Sequence, residues 1–344
     1  MNPKRIDYVD IARGIAILSV IAYHTGFLPF QHQLLPLITP WMLPVFAVLH
    51  GMIAGGNYSP GQVLLRRIRS LLVPYLLYGL STYALWLVLR MYAPGSVLFA
   101  SWQEGLHQFA TGTGLIYNGP LWFLPSFFLA AIMFAIVRRL ILPINKLGLL
   151  FTAHVLVVVS FMINPSGTKL VFSYDLAFLF AACMVMGSWL SATRWEQVPK
   201  LAWYMLAGGF MALVWYNGTV DIFGRVFHQP AVYWITALTG SILVIRAAKG
   251  MAGLSGFIHD ALVYVGKYSM ILLCTHWPIM QWLTFLLTVL GVLGALSGTP
   301  TYTSFSYYHP DAVIFTLIEL PLLALYFLVP IGALWLYRSL RKLY

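Results

Sequence analysis

The chain reads as a succession of apolar runs cut at short intervals by charged or turn-forming clusters, and most of the runs are long enough to cross a membrane. A spanning helix needs about 20 mostly apolar residues, since a helix rises about 1.5 Å per residue and the hydrocarbon layer is about 30 Å thick. Runs of this kind occupy 10–28, 36–56, 71–92, 120–141, 147–163, 174–191, 201–216, 231–247, 262–290 and 312–336. Two are irregular. Pro36, Pro40 and Pro44 interrupt the start of the second, and Pro278 lies inside the ninth, where its missing amide kinks a helix. A broken helix at membrane depth is tolerated only where it is buried in protein or lines a cavity. The pattern predicts an all-α integral membrane protein, a bundle of about ten transmembrane helices forming one domain over 1–344. No internal repeat, low-complexity tract or soluble appendage is visible.

The basic residues test that count independently. With the N-terminus in the cytoplasm and sides alternating over ten spans, the cytoplasmic side receives Lys4, Arg5, Arg13, Arg66, Arg67, Arg69, Arg138, Arg139, Lys146, Arg194 and Lys200. It also receives Arg246, Lys249, Lys267, Arg338, Arg341 and Lys342, which leaves Arg90, Lys169 and Arg225 outside. Seventeen against three is a strong positive-inside bias, and gaining or losing one span would scramble it. Both termini are therefore expected in the cytoplasm.

Composition excludes the soluble classes. Hydrophobic residues make up 60% of the 344 and charged residues 8%, against about 25% charge in a soluble domain, which needs a hydrated shell. Membrane lipids are thus expected as the main solvent. The net charge of +11 does not point to nucleic acid, because the Lys and Arg sit in short clusters between apolar runs. Cys183 and Cys274 lie inside apolar segments, so they imply neither a disulfide framework nor a metal site. Lys4 and Arg5 before an apolar stretch resemble a signal peptide, but Asp7, Asp10 and Arg13 interrupt it and no small-x-small cleavage site follows; a retained first helix is expected. The outward segments 93–119 and 297–311 read as loops, neutral and aromatic, suited to carbohydrate or to an interfacial belt.

The first helix carries the most chemistry. Arg13 and His24 are eleven positions apart, about three turns, so they share a face about 16 Å apart along the axis. Asp10 and Arg13 are three apart and pair on a helix surface; together they either anchor the helix end or serve a site. A neutral imidazole at depth is either a satisfied core histidine or a base for a hydroxyl proton. Arg66, Arg67 and Arg69, ahead of the third span, read as a phosphate clamp or as a topogenic cluster. Trp122 begins the fourth span, where a belt tryptophan also sits. In the ninth span His276 follows Lys267 by nine residues, about 13 Å deeper on a straight helix and near the depth of His24. Glu319 lies about two turns inside the tenth span near Pro321 and needs a partner, for which a histidine qualifies. No Gly-x-Ser-x-Gly elbow, Walker loop, His-Glu-x-x-His or metal cluster is present.

At these residues the chain resembles membrane-bound acyltransferase family 3, particularly its fucose 4-O-acetylase-like branch of polysaccharide O-acetyltransferases. The likeness runs through Arg5 to His24, the arginines before Leu71-Leu72-Val73-Pro74-Tyr75, and Leu121-Trp122-Phe123-Leu124. It continues through Tyr174-Asp175 to Gly187 and Gly266-Lys267-Tyr268-Ser269 to His276. The spacing from Arg13 to His24 is its most specific element. One departure is clear: the second span in that family usually ends in Ser-Gly, and here His50 precedes Gly51.

The resemblance implies a multi-pass protein of the bacterial inner membrane that holds no permanent cofactor and takes acetyl from cytoplasmic acetyl-CoA. The acceptor it implies is a sugar hydroxyl of a surface polysaccharide or its lipid-linked precursor. It makes Arg13 and His24, with Asp10 beside them, the catalytic group. It makes Arg66, Arg67 and Arg69 the donor site, with Trp122, Asp175, His276 and Glu319 in substrate or supporting roles. The rival class is a polytopic transporter or flippase of a sugar or lipid, which is expected to show internal pseudo-symmetry that this chain lacks. Sequence leaves open which sugar and hydroxyl, which short acyl group, direct transfer or an acetyl-histidine step, and the oligomeric state.

Overall fold

A computed structural model describes residues 6–25, 31–54, 60–92, 101–141, 146–289, 324–325 and 327–336. The described chain is almost wholly helical and contains no strand. In order the helices are α1 (Asp7–Thr25), α2 (Gln31–Ile38), α3 (Pro44–Ile53), α4 (Pro60–Arg67), α5 (Val73–Tyr92), α6 (Trp102–Thr111) and α7 (Phe123–Ile141). They continue as α8 (Lys146–Ile163), α9 (Tyr174–Ser191), α10 (Lys200–Asn217), α11 (Pro230–Met251), α12 (Phe257–Lys267) and α13 (Ser269–Val289). A short apolar helix follows at Phe327–Leu336.

Two helices form the centre. In α9 nearly every residue from Asp175 to Ser188 is buried, and in α1 Ile11, Ala12, Ala16, Ile17 and Ile21 are fully enclosed. Enclosure explains how α1 carries Asp10, which is buried and meets protein rather than lipid, with the half-buried Arg13 beside it. Glycines let these helices approach their neighbours backbone to backbone. A Cβ on Gly266 of α12 would run into the Asp10 carbonyl of α1, and one on Gly14 into the Leu262 carbonyl. Gly51 of α3 and Gly187 of α9 interlock in the same way. Small residues at such crossings are how helices associate where lipid removes the hydrophobic drive between them.

Around this centre, α5, α8 and α10 turn bare apolar flanks outward: Leu76, Leu77 and Leu80; Phe151, Val158 and Met162; Tyr204, Met205 and Tyr216. Such broad exposed apolar faces are stable only against lipid or a partner. Five described helices are long and apolar enough to cross a membrane: Gly61–Val88, Gly119–Leu140, Lys146–Ile163, Val171–Ser191 and Pro230–Met251. The pair Phe257–Lys267 and Ser269–Leu283 makes a sixth if it is one bent span. The protein is a multi-pass membrane protein.

Three expectations from the sequence are corrected. The ninth span is not one helix: α12 and α13 meet at Tyr268 at 83°, so the depth of His276 does not follow from helical rise beyond Lys267. The break falls where Gly266 is drawn against α1, before Pro278 is reached. Arg66, Arg67 and Arg69, read from the sequence as lying ahead of the third span, belong to the spanning helix itself. They lie on α4 and on a π-helical turn, Ile68–Leu72, that joins α4 to α5 in one rod. The segment 93–119 is not only a loop, since α6 runs back antiparallel to α5. Tyr83 Oη donates to the Trp102 carbonyl at 2.9 Å and Tyr75 Oη to the Phe109 carbonyl at 2.5 Å. Ser101 caps α6 by accepting from the Glu104 amide at 3.1 Å. The second run is broken by its prolines as expected, into α2, a turn and α3. Glu319, the segment 297–311 and most of the tenth span lie outside the described residues.

Candidate active site

Because α1 is one unbroken helix, Arg13 and His24 stand about 16 Å apart at its two ends, and each end builds a different site. At the His24 end, His24 Nδ1 lies 3.0 Å from Nε2 of His276 on α13. His276 is fully buried, and its Nδ1 lies 2.7 Å from the Leu272 carbonyl one turn back. A carbonyl oxygen only accepts, so His276 carries its proton on Nδ1 and offers a bare Nε2 to its neighbour. His24 must then donate from Nδ1, which leaves the lone pair on its own Nε2. That atom has no hydrogen-bond partner among the described residues. Tyr23 and Trp277 meet the His24 ring edge-on, at 5.1 and 5.0 Å between centroids. Asn118 pins α13 in place by donating to the Cys274 carbonyl at 2.9 Å. Paired, oriented and half open, His24 has the arrangement that a base for a hydroxyl proton requires.

His24 lines a pocket with Val20 and Tyr23 of its own helix. Met42 and Leu43 before α3, Pro120, Trp122 and Phe123 at the head of α7, Leu273 of α13, and Val220 to Phe223 between α10 and α11 complete it. Trp122 is buried and stacks on Phe223 at 5.2 Å. Asp175 is not in this pocket. It holds Arg225, with Nε to Oδ2 at 3.0 Å and Nη2 to Oδ1 at 2.9 Å, and both side chains are almost completely buried. Arg225 Nη1 in turn donates to the Phe223 carbonyl at 2.6 Å, so Asp175 clamps the segment that carries one wall of the pocket. Lys169 lies over the outer face of Phe223 at 4.2 Å. Burial holds its ammonium below the usual lysine range, with Asp221 opposing that shift and Arg225 adding to it.

At the other end of α1 the charges converge. Arg13 lies 3.8 Å from Asp10. Arg67 Nη2 donates to Nε2 of His50 at 3.3 Å, and Arg67 Nε is buried with no hydrogen-bond partner among the described residues. Arg13 and Arg138 both lie within electrostatic reach of His50, and Arg13 and Arg66 within reach of Arg67. Arg66 and Arg69 are exposed. The structure thus brings Arg13, Arg66 and Arg67 of the sequence candidates together and leaves Arg69 on the surface of the same rod. Like charges gathered in a partly desolvated place repel one another, and a bound anion relieves that repulsion.

Residues 6–338 match the acyltransferase domain of acyltransferase family 3, nearly the whole chain. The chain belongs to acyltransferase family 3. No curated protein and no solved structure matches it. In this acyltransferase the position of His50, where the resemblance leads one to expect serine, is filled by a ring that receives Arg67 and packs edge-on against Phe127 and Phe134.

The sequence reading missed three parts of the site. One is the Leu272 carbonyl, which sets the tautomer of both histidines and has no side-chain signature. Another is the Arg67–His50 contact, which joins helices 17 residues apart in sequence. The third is Asp221, for which a signal existed: it is an acid in a short stretch between two apolar runs, four residues before Arg225. Among the described residues, no three His, Cys, Asp or Glu side chains converge to hold a metal ion.

Proposed function

We propose that this acyltransferase moves an acetyl group from acetyl-CoA to a sugar hydroxyl of a cell-surface polysaccharide or its lipid-linked precursor. The observation that carries the reading is His24, which lines an aromatic-walled pocket with Nδ1 held by His276 and Nε2 left without a described partner, with a cluster of arginines about 16 Å away along the same helix. The arginines bind the phosphates of the donor: Arg66 and Arg69 from the surface, Arg67 and Arg13 deeper in. The pantetheine arm runs from there along α1 and brings the thioester to His24. In direct transfer, Nε2 takes the proton of the sugar hydroxyl as its oxygen attacks the thioester carbonyl. The carbon–sulfur bond breaks, and the imidazolium returns the proton to the departing CoA thiolate. The same lone pair also serves for a two-step route through acetyl-histidine, which rapid quenching and mass analysis of the protein distinguishes.

The chain sits in this reading as one domain, 1–344, crossing the bacterial inner membrane ten times with both termini in the cytoplasm. The arginine end of α1 then faces cytoplasmic acetyl-CoA, and the pocket end faces outward. The test is to incubate the purified protein in lipid discs with acetyl-labelled acetyl-CoA and a panel of glycans and lipid-linked glycans. Label is expected on the glycan and is expected to vanish in His24→Ala, which still binds acetyl-CoA. Absence of both glycan labelling and thioester cleavage from folded wild-type protein would defeat the proposal, as would near-normal turnover in His24→Ala.

A further inference from the structure

The wall of the pocket opposite α1 is made by the turn between α10 and α11, and that turn is built to a fixed shape. Asp221 and Val226 exchange backbone hydrogen bonds in both directions, at 3.0 and 2.8 Å. Asp221 Oδ1 accepts from the Gly224 amide at 2.9 Å. Arg225 holds a left-handed backbone at φ 59°, a strained state for a side-chain-bearing residue that its neighbours must over-determine. The bonds from its guanidinium to Asp175 and to the Phe223 carbonyl do so. Below the turn, Gly114 lies at φ 104°, and a Cβ there would strike the Phe223 ring. The turn is therefore anchored from three sides before any ligand arrives.

This rigid turn carries one acid of the pocket lining, and one of its carboxylate oxygens has no described hydrogen-bond partner. Asp221 lines the same pocket as His24. Its Oδ1 is used by the turn, whereas Oδ2 accepts from no described residue and no described cation lies within ion-pair distance. Among the described lining residues, Asp221 alone carries a formal charge. Of the nearby cations, Arg225 is held by Asp175, and Lys169 lies over the Phe223 ring, outside the pocket lining. None of the described residues lining the pocket is a cation, so the lining offers an acidic ligand no counter-charge. An apolar aromatic wall with one free acceptor suits a neutral ring that shows carbon–hydrogen surface to Trp122 and Phe223 and a hydroxyl to Asp221.

We propose that Asp221 is a specificity-determining residue: its Oδ2 accepts a hydrogen bond from a hydroxyl of a neutral sugar unit and so presents a neighbouring hydroxyl to His24, while its charge turns away uronic and other acidic sugars. The inference rests on the acyl-transfer reading above and narrows its acceptor. A charged acceptor is worth more than a neutral one, and a site built to bond a hydroxyl rejects ligands that cannot supply it.

The test compares methyl glycosides of neutral hexoses and 6-deoxyhexoses with the matching uronic acids, using wild-type protein and Asp221→Asn in lipid discs. Asparagine keeps an oxygen for the Gly224 amide, so the turn survives, while the second oxygen becomes an NH2 that donates and the charge is lost. Ligand-observed magnetic resonance measures glycoside binding without donor, and transfer from acetyl-CoA gives KM for each substrate. Wild-type protein is expected to bind neutral glycosides and to exclude their uronates. In Asp221→Asn the acceptor KM should rise roughly tenfold to a hundredfold, the loss of one charge-assisted hydrogen bond. The KM for acetyl-CoA should stay unchanged, and the preference against uronates should shrink. Equal binding of neutral and acidic glycosides by wild type would overturn the inference, as would binding of none of the neutral ones. Should Asp221→Asn fail to fold, the wild-type binding comparison still decides. If wild type transfers acetyl and Asp221→Asn keeps the native acceptor KM and selectivity, only this inference falls. If wild type neither transfers acetyl nor cleaves acetyl-CoA, the acyl-transfer reading falls instead.

Discussion

Replacing His276 probes the part of the mechanism that depends most on geometry. In the native protein its bare Nε2, 3.0 Å from His24 Nδ1, selects the tautomer that leaves a lone pair on His24 Nε2. His276→Ala removes that acceptor while keeping His24. A buried hydrogen bond contributes about 1 kcal/mol net, so the tautomer preference is worth roughly fivefold in population. Freeing the ring among about three staggered rotamers dilutes the productive one by roughly threefold more. Turnover per folded molecule should therefore fall roughly 15- to 20-fold, well short of the 10²–10⁴ expected for loss of the base itself. His276→Gln places a carbonyl oxygen near the lost Nε2 and should recover activity to within roughly threefold of wild type, because an acceptor is again available. The assay is steady-state acetyl transfer, normalised to the fraction of protein that elutes monodisperse and melts cooperatively, with acetyl-CoA binding measured by calorimetry. Donor affinity should not change in either variant. The reasoning is refuted if His276→Ala turns over at the wild-type rate, or if glutamine rescues no better than alanine.

Other consequences follow from the same geometry. Arg66→Ala with Arg69→Ala should raise the KM for acetyl-CoA several-fold and leave that for the acceptor alone. Added salt should mimic the change in wild type, because these exposed charges are screened; an unchanged donor KM in well-inserted protein would make the arginines topogenic only. Gly266→Ala drives a methyl group into the Asp10 carbonyl, and overpacking of this kind costs about 1–3 kcal/mol, so a clear drop in thermal melting temperature is expected. Arg225→Ala leaves Asp175 buried without its partner, at a cost of about 3–5 kcal/mol. The double variant Arg225→Met with Asp175→Leu should melt higher than the single one, and the reverse order would show that the pair is not what clamps the turn. Impermeant thiol labelling of single cysteines should reach position 168 in intact cells and miss 67 and 198; labelling at 67 would reverse the orientation.

Much of the bundle is legible in the sequence because lipid imposes a simple rule. Backbone groups must be satisfied within each segment, so an apolar run such as 147–163 or 231–247 is a helix whatever it packs against. The spacing of Arg13 and His24 is legible for the same reason, since an unbroken helix converts residue number directly into distance. Identity at single positions also carried chemistry: an imidazole and a guanidinium are unusual in an apolar run, and their presence announces a site.

What the tertiary structure alone decided are the contacts between distant segments. His24 and His276 are 252 residues apart, and their pairing depends on the 83° turn at Tyr268 and on Gly266 fitting against Asp10. Rise along a straight helix predicted neither. The tautomer of His24 is set by a backbone carbonyl, which no residue type encodes. Arg67 on α4 turns inward to bond His50, whereas Arg69 on the π-helical turn stays on the surface, a division that the run of arginines does not reveal. Asp175 looked like a site residue because it is an acid at the head of a helix, yet a bond to Arg225 makes it the clamp of a wall, and the free carboxylate belongs to Asp221. Local periodicity says which residues form a helix; which of them meet depends on how closely two backbones approach, and here glycines at the crossings set that distance.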